Sequence, residues 1–325
     1  MHDVVALGEL LIDFTPAGLS SNECFLFEQN PGGAPANVLG VLAKLNMETE
    51  FIGKVGEDQF GYFLQKVLKS IRVGTKNLVL SDEANTTLAF VHLDENGERK
   101  FSFYRNPGAD MMLREGEIDF SIIEQAKVFH FGSISMTHEP SRSTTLKAVE
   151  YAKEKGVLVS YDPNYRPLLW ENADEAKKYM EKGLVYADIL KVSEEELRLL
   201  TGMSKIEEAV QYLEQKYNIP LIVVTLGDKG SYFKKADDEA FVPSYKVKVV
   251  DTTGAGDGFL GGLLYQILIC KKNLQDLQGM ELAKMIQFAN AVGALMTTKR
   301  GAIPAIPALQ EIETFMNHQQ GDHFA

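Results

Sequence analysis

Cysteine is scarce in this 325-residue chain: Cys24 and Cys270 are the whole complement, with no CxxC pair and no Cys/His cluster. That excludes a disulfide framework and a thiolate zinc site, and it suits a reducing compartment. Long hydrophobic runs are missing as well; none approaches the roughly 18–20 apolar residues that a membrane helix needs. Basic charge is in short supply, with Lys+Arg at 33 against Asp+Glu at 45 and a formal net charge of −12. Such a balance argues against a general nucleic-acid or membrane-surface binder, whose footprint is a basic patch. The opening MHDVVALGELLIDF has no basic n-region and meets Glu9 and Asp13 early, unlike a secretory signal. A cytoplasmic protein is the expectation. The histidines form no ligand pattern, and His130 reads as a core imidazole within an apolar run.

What is present is an ordinary globular composition, 45% hydrophobic and 24% charged, enough for a sizeable core. Short apolar runs predict strands at Val4–Ile12, Glu50–Val55, Val128–Phe131, Val157–Tyr161, Ile189–Val192 and Leu221–Thr225. Helical periodicity predicts helices at Ala34–Lys44, Asp58–Lys69, Ser141–Lys155, Ala173–Lys182, Glu194–Leu200 and Ile206–Tyr217. After Asp251 the chain reads as helical over Gly256–Cys270, Gly279–Met296 and Ala308–His318. This alternation predicts an α/β fold of three layers, a mostly parallel sheet with helices on both faces. Two stretches break the rhythm. Thr15–Pro31 reads as irregular, with Phe25, Leu26 and Phe27, while Asn85–Arg105 reads as a hairpin turning at Asn96-Gly97. Together they predict a small β lid, inserted from about 15–30 and 85–105 into one domain spanning residues 1–325.

The segment VVDTTGAGDGFLGGLLYQIL is the most informative. A predicted β run, Lys246–Val250, leads into Asp251-Thr252-Thr253-Gly254-Ala255-Gly256-Asp257 and then an apolar helix. Glycines there let unpaired backbone N–H groups approach a phosphate, with the helix dipole adding positive potential. Asp257 has two readings: a carboxylate that complements the dipole, or a base beside a transferred phosphoryl group. The pattern is neither a Walker A loop nor a dinucleotide fingerprint.

A second glycine-rich segment, Asn30-Pro31-Gly32-Gly33-Ala34-Pro35-Ala36-Asn37, follows the first strand. Taken with GELLIDFTP, FIGKVGEDQFG, FYRNPGADMML, FGSIS, SYDPNYRPLLW, ADILKVSEEEL, VTLGDKG and DTTGAGD, the chain resembles the ribokinase-like (PfkB) family of carbohydrate kinases. Within it the similarity is greatest to the fructokinase branch, and it runs from about residue 3 to 310.

The resemblance implies a ribokinase-like fold and transfer of the ATP γ-phosphate to a sugar hydroxyl, O6 of D-fructose. Asp257 would be the base, with Gly254, Ala255 and Gly256 forming an anion hole. Asp13, Gly32, Gly33, Asn37, Asn164 and Arg166 would hold the sugar, with Tyr104 and Arg105 closing over it; Arg166 could instead serve the phosphoryl group. Lys191, Thr225, Gly227, Gly230 and Asn290 would serve the nucleotide. Glu194 would organise hydrated Mg2+, with Lys191 standing where the family usually has Asn. Asp251 and Thr253, with carbonyls near Met296, Lys299 and Gly301, match a site for potassium (K+), although Ala305 replaces an expected serine. Apolar Phe25, Phe27, Phe90 and Phe101 imply a homodimer through the lid. A kinase for 2-keto-3-deoxygluconate, ribose or a nucleoside remains the alternative. The intact Asp257, Gly254 and Gly256 speak against a silent sugar sensor, and the missing early GxGxxG speaks against a dehydrogenase.

Overall fold

The computed structural model describes residues 1–93 and 99–321. The Asn96-Gly97 turn lies outside the described residues. The chain starts with β1 (His2–Leu7), passes through β2 (Leu11–Leu19) and β3 (Phe25–Gly32), and enters α1 (Ala34–Lys44). Next come β4 (Thr49–Gly56), α2 (Gln59–Ser70), β5 (Gly74–Ser81), β6 (Leu88–Leu93) and β7 (Arg99–Tyr104). The middle of the chain forms α3 (Phe120–Glu124), β8 (Ala126–Gly132), α4 (Ser141–Glu154), β9 (Leu158–Asp162) and α5 (Ala173–Leu184). It continues through β10 (Ile189–Ser193), α6 (Glu194–Thr201), α7 (Ile206–Tyr217) and β11 (Leu221–Thr225). The hairpin of β12 (Gly230–Lys235) and β13 (Asp238–Pro243) precedes α8 (Ala255–Ile269), α9 (Gly279–Met296) and α10 (Leu309–Gly321).

Among the described residues nine strands pair in the order β13-β12-β11-β10-β9-β8-β1-β4-β5, parallel from β11 to β5 and antiparallel at the hairpin end. The pleat of β1 explains the layering: successive side chains point to opposite faces. Val4 and Ala6 join a core with α1, α8 and α9, whereas Val5 and Leu7 join one with α4, α5, α6 and α7. The expected three layers are present. α8 is apolar all round because it is buried between α1 and α9, with Leu260 and Leu263 at 0% exposure. Truncating either leucine to alanine costs about 2–5 kcal/mol and would loosen the helix that carries Asp257.

The predicted single strand Val4–Ile12 is in fact two. It breaks after Leu7, and the second part, β2, leaves the main sheet for the lid. In the lid the strands run in the order β3-β2-β6-β7. Thr15–Pro31, expected to be irregular, therefore contributes most of β2 and β3, where Asp13 pairs with Asn30 and Ile12 with Pro31. The predicted β run Lys246–Val250 is not a strand. Its alternation meets no neighbouring ladder; Val249 and Val250 are exposed, and the segment is anchored where Val250 N–H donates to the Thr297 carbonyl at 2.8 Å. His130 is buried, with Nδ1 3.1 Å from the Ser160 carbonyl, and burial pushes its pKa down to about 4. It is the core imidazole the sequence suggested.

Candidate active site

The C-terminal ends of the parallel strands, the first turn of α8 and the lid converge on Asp257. In an open parallel α/β sheet this is the end where ligands bind. Gly254, in the left-handed region at φ 76°, caps α8 and places Asp257 in its first turn. Asn37, one turn into α1, donates from Nδ2 to Asp257 Oδ2 at 2.8 Å. Asn164, in the loop after β9, donates from Nδ2 to Oδ1 at 3.3 Å. The carboxylate can only accept, so both amide nitrogens face it. Their oxygens, Asn37 Oδ1 and Asn164 Oδ1, are buried and have no partner among the described residues. Leaving such acceptors unpaired costs about 1–3 kcal/mol each, which a ligand bearing hydroxyl groups would recover. Burial, and next the like charge of Asp162, push the Asp257 carboxyl up to about 6, while Asn37, Lys191 and Arg166 oppose the shift.

Asp13 enters from the lid. A Cβ on Gly32 would collide with its carboxylate, which accounts for the first glycine of the pair. Burial pushes Asp13 up to about 6; Arg166 opposes this, and Asp251 and Asp257 add to it. The exposed Arg166 is thus electrostatically coupled to both carboxylates, at the open side of the site. Gly33, at φ 127°, caps α1, and the N–H of Ala34 donates to Glu9 Oε1 at 2.7 Å.

Strand alternation separates the two lid residues expected to close together. Register places Ala89 opposite Phe103 and Leu88 opposite Tyr104, with Asp13 paired to Ala89. Phe103 therefore shares the face of Asp13, whereas Tyr104 lies on the opposite face, 65% exposed and edge-on to Phe90. Arg105 is buried. Its guanidinium pairs with Asp110 at 2.6 Å, and also donates to Thr137 Oγ1 at 2.9 Å and the Ile134 carbonyl at 3.3 Å.

On the other side of Asp257, the α8 turn offers N–H groups to an anion. The N–H of Ala255 is diverted to the Thr252 carbonyl at 3.2 Å, which leaves Gly256 and Asp257, whose N–H groups precede any helical acceptor, to face an anion. Lys191, near the end of β10, reaches beneath this turn. A Cβ on Gly256 would stand 3.0 Å from its Nζ. Asp251 accepts from Thr253 N–H at 2.8 Å, Thr253 Oγ1 at 2.7 Å and Gly301 N–H at 3.1 Å, so the three positions expected for potassium do come together.

The pfkB family carbohydrate kinase model matches residues 1–309. This chain belongs to that family. Fructokinase-1 of Oryza sativa subsp. japonica is 47% identical over 315 residues, covering 96% of this chain and 97% of its own length. The crystal structure of fructokinase from Xylella fastidiosa with bound ATP superposes with a TM-score of 0.91 at 34% identity, covering 98% of this chain and 100% of that one. A double mutant of fructokinase from Vibrio cholerae O395, with fructose, ADP and potassium ion bound, gives a TM-score of 0.87 at 36% identity, covering 97% and 98%.

In this pfkB-family chain the residues expected on the nucleotide side, Lys191 apart, gather around the loop after β11. Thr225 ends β11, and Gly227 and Gly230, at φ 63° and 122°, shape the loop that follows. Asn290 stands beside that loop, bonded to the same Val242 carbonyl that a Cβ on Gly230 would strike. Its amide donates to the carbonyls of Val242 and Pro243 at 3.1 and 3.3 Å and accepts from Ser231 Oγ at 3.2 Å, so it pins the β12–β13 hairpin rather than presenting a free edge. Glu194, expected to organise Mg2+, has a side chain 42% exposed and paired with Arg198 at 3.6 Å. The buried carboxylate of that turn is Glu196, accepting from Ser193 N–H and Tyr165 N–H, both at 2.7 Å. Ser193 caps α6 with Glu196 as its reciprocal partner. The S-x-x-E spacing of that capping box was the signal in the sequence that could have found Glu196. Asp162 was missed too, because nothing in the sequence ties it to Lys191.

Proposed function

We propose that this chain is an ATP-dependent fructokinase that transfers the γ-phosphoryl group to the 6-hydroxyl of D-fructose. The observation that carries the reading is Asp257, held by Asn37 and Asn164 in the first turn of α8, between an anion-binding helix end and lid residue Asp13. Asp257 takes the hydroxyl proton as the sugar oxygen forms its bond to phosphorus and the bond to the ADP oxygen breaks. An alcohol is too weak an acid to ionise first, so the proton moves late in bond formation. The N–H groups of Gly256 and Asp257 and the ammonium of Lys191 receive the charge gathering on the phosphoryl oxygens. Asp13, the free oxygens of Asn37 and Asn164, and the backbone at Gly32 and Gly33 bind sugar hydroxyls. The lid excludes water, which would otherwise compete as acceptor.

Mg2+ keeps most of its water and takes few carboxylates, and buried Glu196, near Lys191 and facing the same strand ends, fits such an ion better than Glu194. When bound, it offsets charge on the triphosphate. Asp251, Thr253 and the carbonyls toward Gly301 would hold K+ behind the anion hole. Two copies pair through the lid, where Phe25, Leu26, Phe27 and Phe101 are 81%, 44%, 37% and 40% exposed.

A sugar acid such as 2-keto-3-deoxygluconate is disfavoured because the Arg105 guanidinium is already engaged by Asp110. The test is ADP release with ATP and Mg2+ across fructose, 2-keto-3-deoxygluconate, ribose, glucose, mannose and adenosine. Turnover is expected to be greatest on fructose. Failure on fructose with turnover of the sugar acid would overturn the assignment.

A further inference from the structure

Asp162, the last residue of β9, touches both sides of the site through its two carboxylate oxygens. Oδ2 is 2.9 Å from the Lys191 ammonium, and both side chains are nearly inaccessible, at 2% and 6% exposure. Oδ1 accepts the N–H of Asn164 at 3.1 Å, closing a turn over Pro163. That turn holds Asn164 at φ 48°, a left-handed conformation that asparagine tolerates better than most residues. In it the Asn164 amide reaches Asp257. Lys191 meanwhile lies beneath Gly256, where a side chain would press on its ammonium at 3.0 Å. One carboxylate thus orders a cation for the phosphoryl side and an amide for the base.

We propose that Asp162 is a positioning residue for phosphoryl transfer, holding Lys191 beneath Gly256 and Asn164 against Asp257. It touches no reacting atom. With no nucleotide bound, the Asp162–Lys191 pair satisfies a buried ammonium that would otherwise sit uncompensated. When a triphosphate arrives, its anionic oxygens share that ammonium, and Asp162 keeps the lysine stem aligned. Asp162 also acts on the base across space. The charged groups around Asp257 are Asp162 and Asp13, which favour its protonated form, and Lys191 and Arg166, which favour its carboxylate.

The inference rests on Asp257 being the base of the proposed fructokinase, and the experiment keeps the two apart. Initial rates of fructose phosphorylation are measured from pH 5 to 9 for wild type, Asp162→Asn, Lys191→Met, the double variant and Asp257→Asn. Thermal melts check that each is folded. Asp162→Asn keeps an acceptor for the Asn164 N–H, so KM for fructose should change little while kcat falls by about 10²-fold, the scale of a misplaced reacting group. Its acid limb should move to lower pH, since Asp257 loses an anionic neighbour. Lys191→Met should move that limb the opposite way, and its effect on kcat should not add to that of Asp162→Asn. Opposite displacements are beyond a purely structural role. Limbs unmoved in both single variants, or simple additivity in the double variant, would overturn the proposal. Full turnover in Asp257→Asn would instead remove the reading beneath it. If Asp162→Asn fails to fold, Asp162→Glu takes its place: it keeps the charge but displaces both partners, so kcat should fall by about 10-fold or more with KM for fructose little changed, and wild-type kcat would overturn the proposal.

Discussion

Asn37 Nδ2 lies 2.8 Å from Asp257 Oδ2, joining the first turn of α1 to the first turn of α8 across 220 positions of sequence. The contact fixes the proposed base, Asp257, relative to Gly33, where the lid strand β3 passes into α1. Replacing Asn37 with leucine removes that donor and the free oxygen beside it. The expected result is a rise in KM for fructose together with a fall in kcat of about 10²-fold. Steady-state kinetics at saturating ATP check this, and a change confined to KM for ATP would contradict it.

Asp257 has to be ionised to accept a proton, and its carboxyl is pushed up to about 6, chiefly by burial and then by Asp162. Activity should therefore decline as pH falls through that value, by about tenfold per pH unit well below it. Asp13, also raised to about 6 by burial, steepens the same limb. The stability sign is the reverse. A raised carboxyl binds its proton more tightly in the folded state, so ionisation at neutral pH works against folding. Asp257→Asn should lose turnover by about 10²–10⁴-fold, yet melt higher than wild type at pH 8, with the difference shrinking toward pH 4. A lower melting temperature at pH 8 would count against the shift.

Gly256 leaves room for an ammonium as well as exposing its N–H. Gly256→Ala should press on Lys191, which is buried and paired with Asp162. The expected loss in kcat is about 10-fold or more, with the fold intact by circular dichroism. Wild-type kcat in that variant would mean that the lysine does not work at this turn.

Glu194 and Glu196 are separated by exposure. Glu194→Gln should leave the Mg2+ dependence of the rate unchanged, its exposed pair with Arg198 being of the kind worth about 0.3–0.5 kcal/mol. Glu196→Gln should raise the Mg2+ concentration needed for half-maximal rate and lower stability, because Glu196 also closes the α6 cap and binds Tyr165 N–H. Equal behaviour of the two variants would put the carboxylate role back in doubt.

At the lid, Phe25 is 81% exposed. Phe25→Asp should shift a lid-paired dimer toward monomer without unfolding the body. Sedimentation of wild type as a single 36.1 kDa species at micromolar concentration would already refute the dimer.

The glycine-rich turns and the buried strands were legible because each follows from local chemistry. β8 to β11 are buried on both faces and so read as largely apolar runs, and the apolar stretch after Gly254 reads as an enclosed helix. β2 was harder to see. Leu10, Leu11 and Ile12 resume the apolar pattern of β1 after only Gly8 and Glu9, an interruption short enough for a single strand to carry. Tyr104 and Phe103 are adjacent aromatics, so only the register with β6 tells which one faces Asp13. Glu194, Glu195 and Glu196 are alike in composition, and the capping geometry at Ser193 picks out the one that turns inward.

By itself the sequence set out the local devices for the expected chemistry: a glycine-bearing helix start suited to an anion, a carboxylate in its first turn, and polar side chains able to bind hydroxyls. Only the tertiary structure decided which groups serve it. Lys191 acquires its place because Asp162, on the neighbouring strand, holds it 2.9 Å away beneath Gly256. Arg105 loses its freedom because Asp110 neutralises it within the body. Both outcomes depend on charges brought together in a medium of low dielectric, where the distance between partners sets the energy, and that distance belongs to the fold.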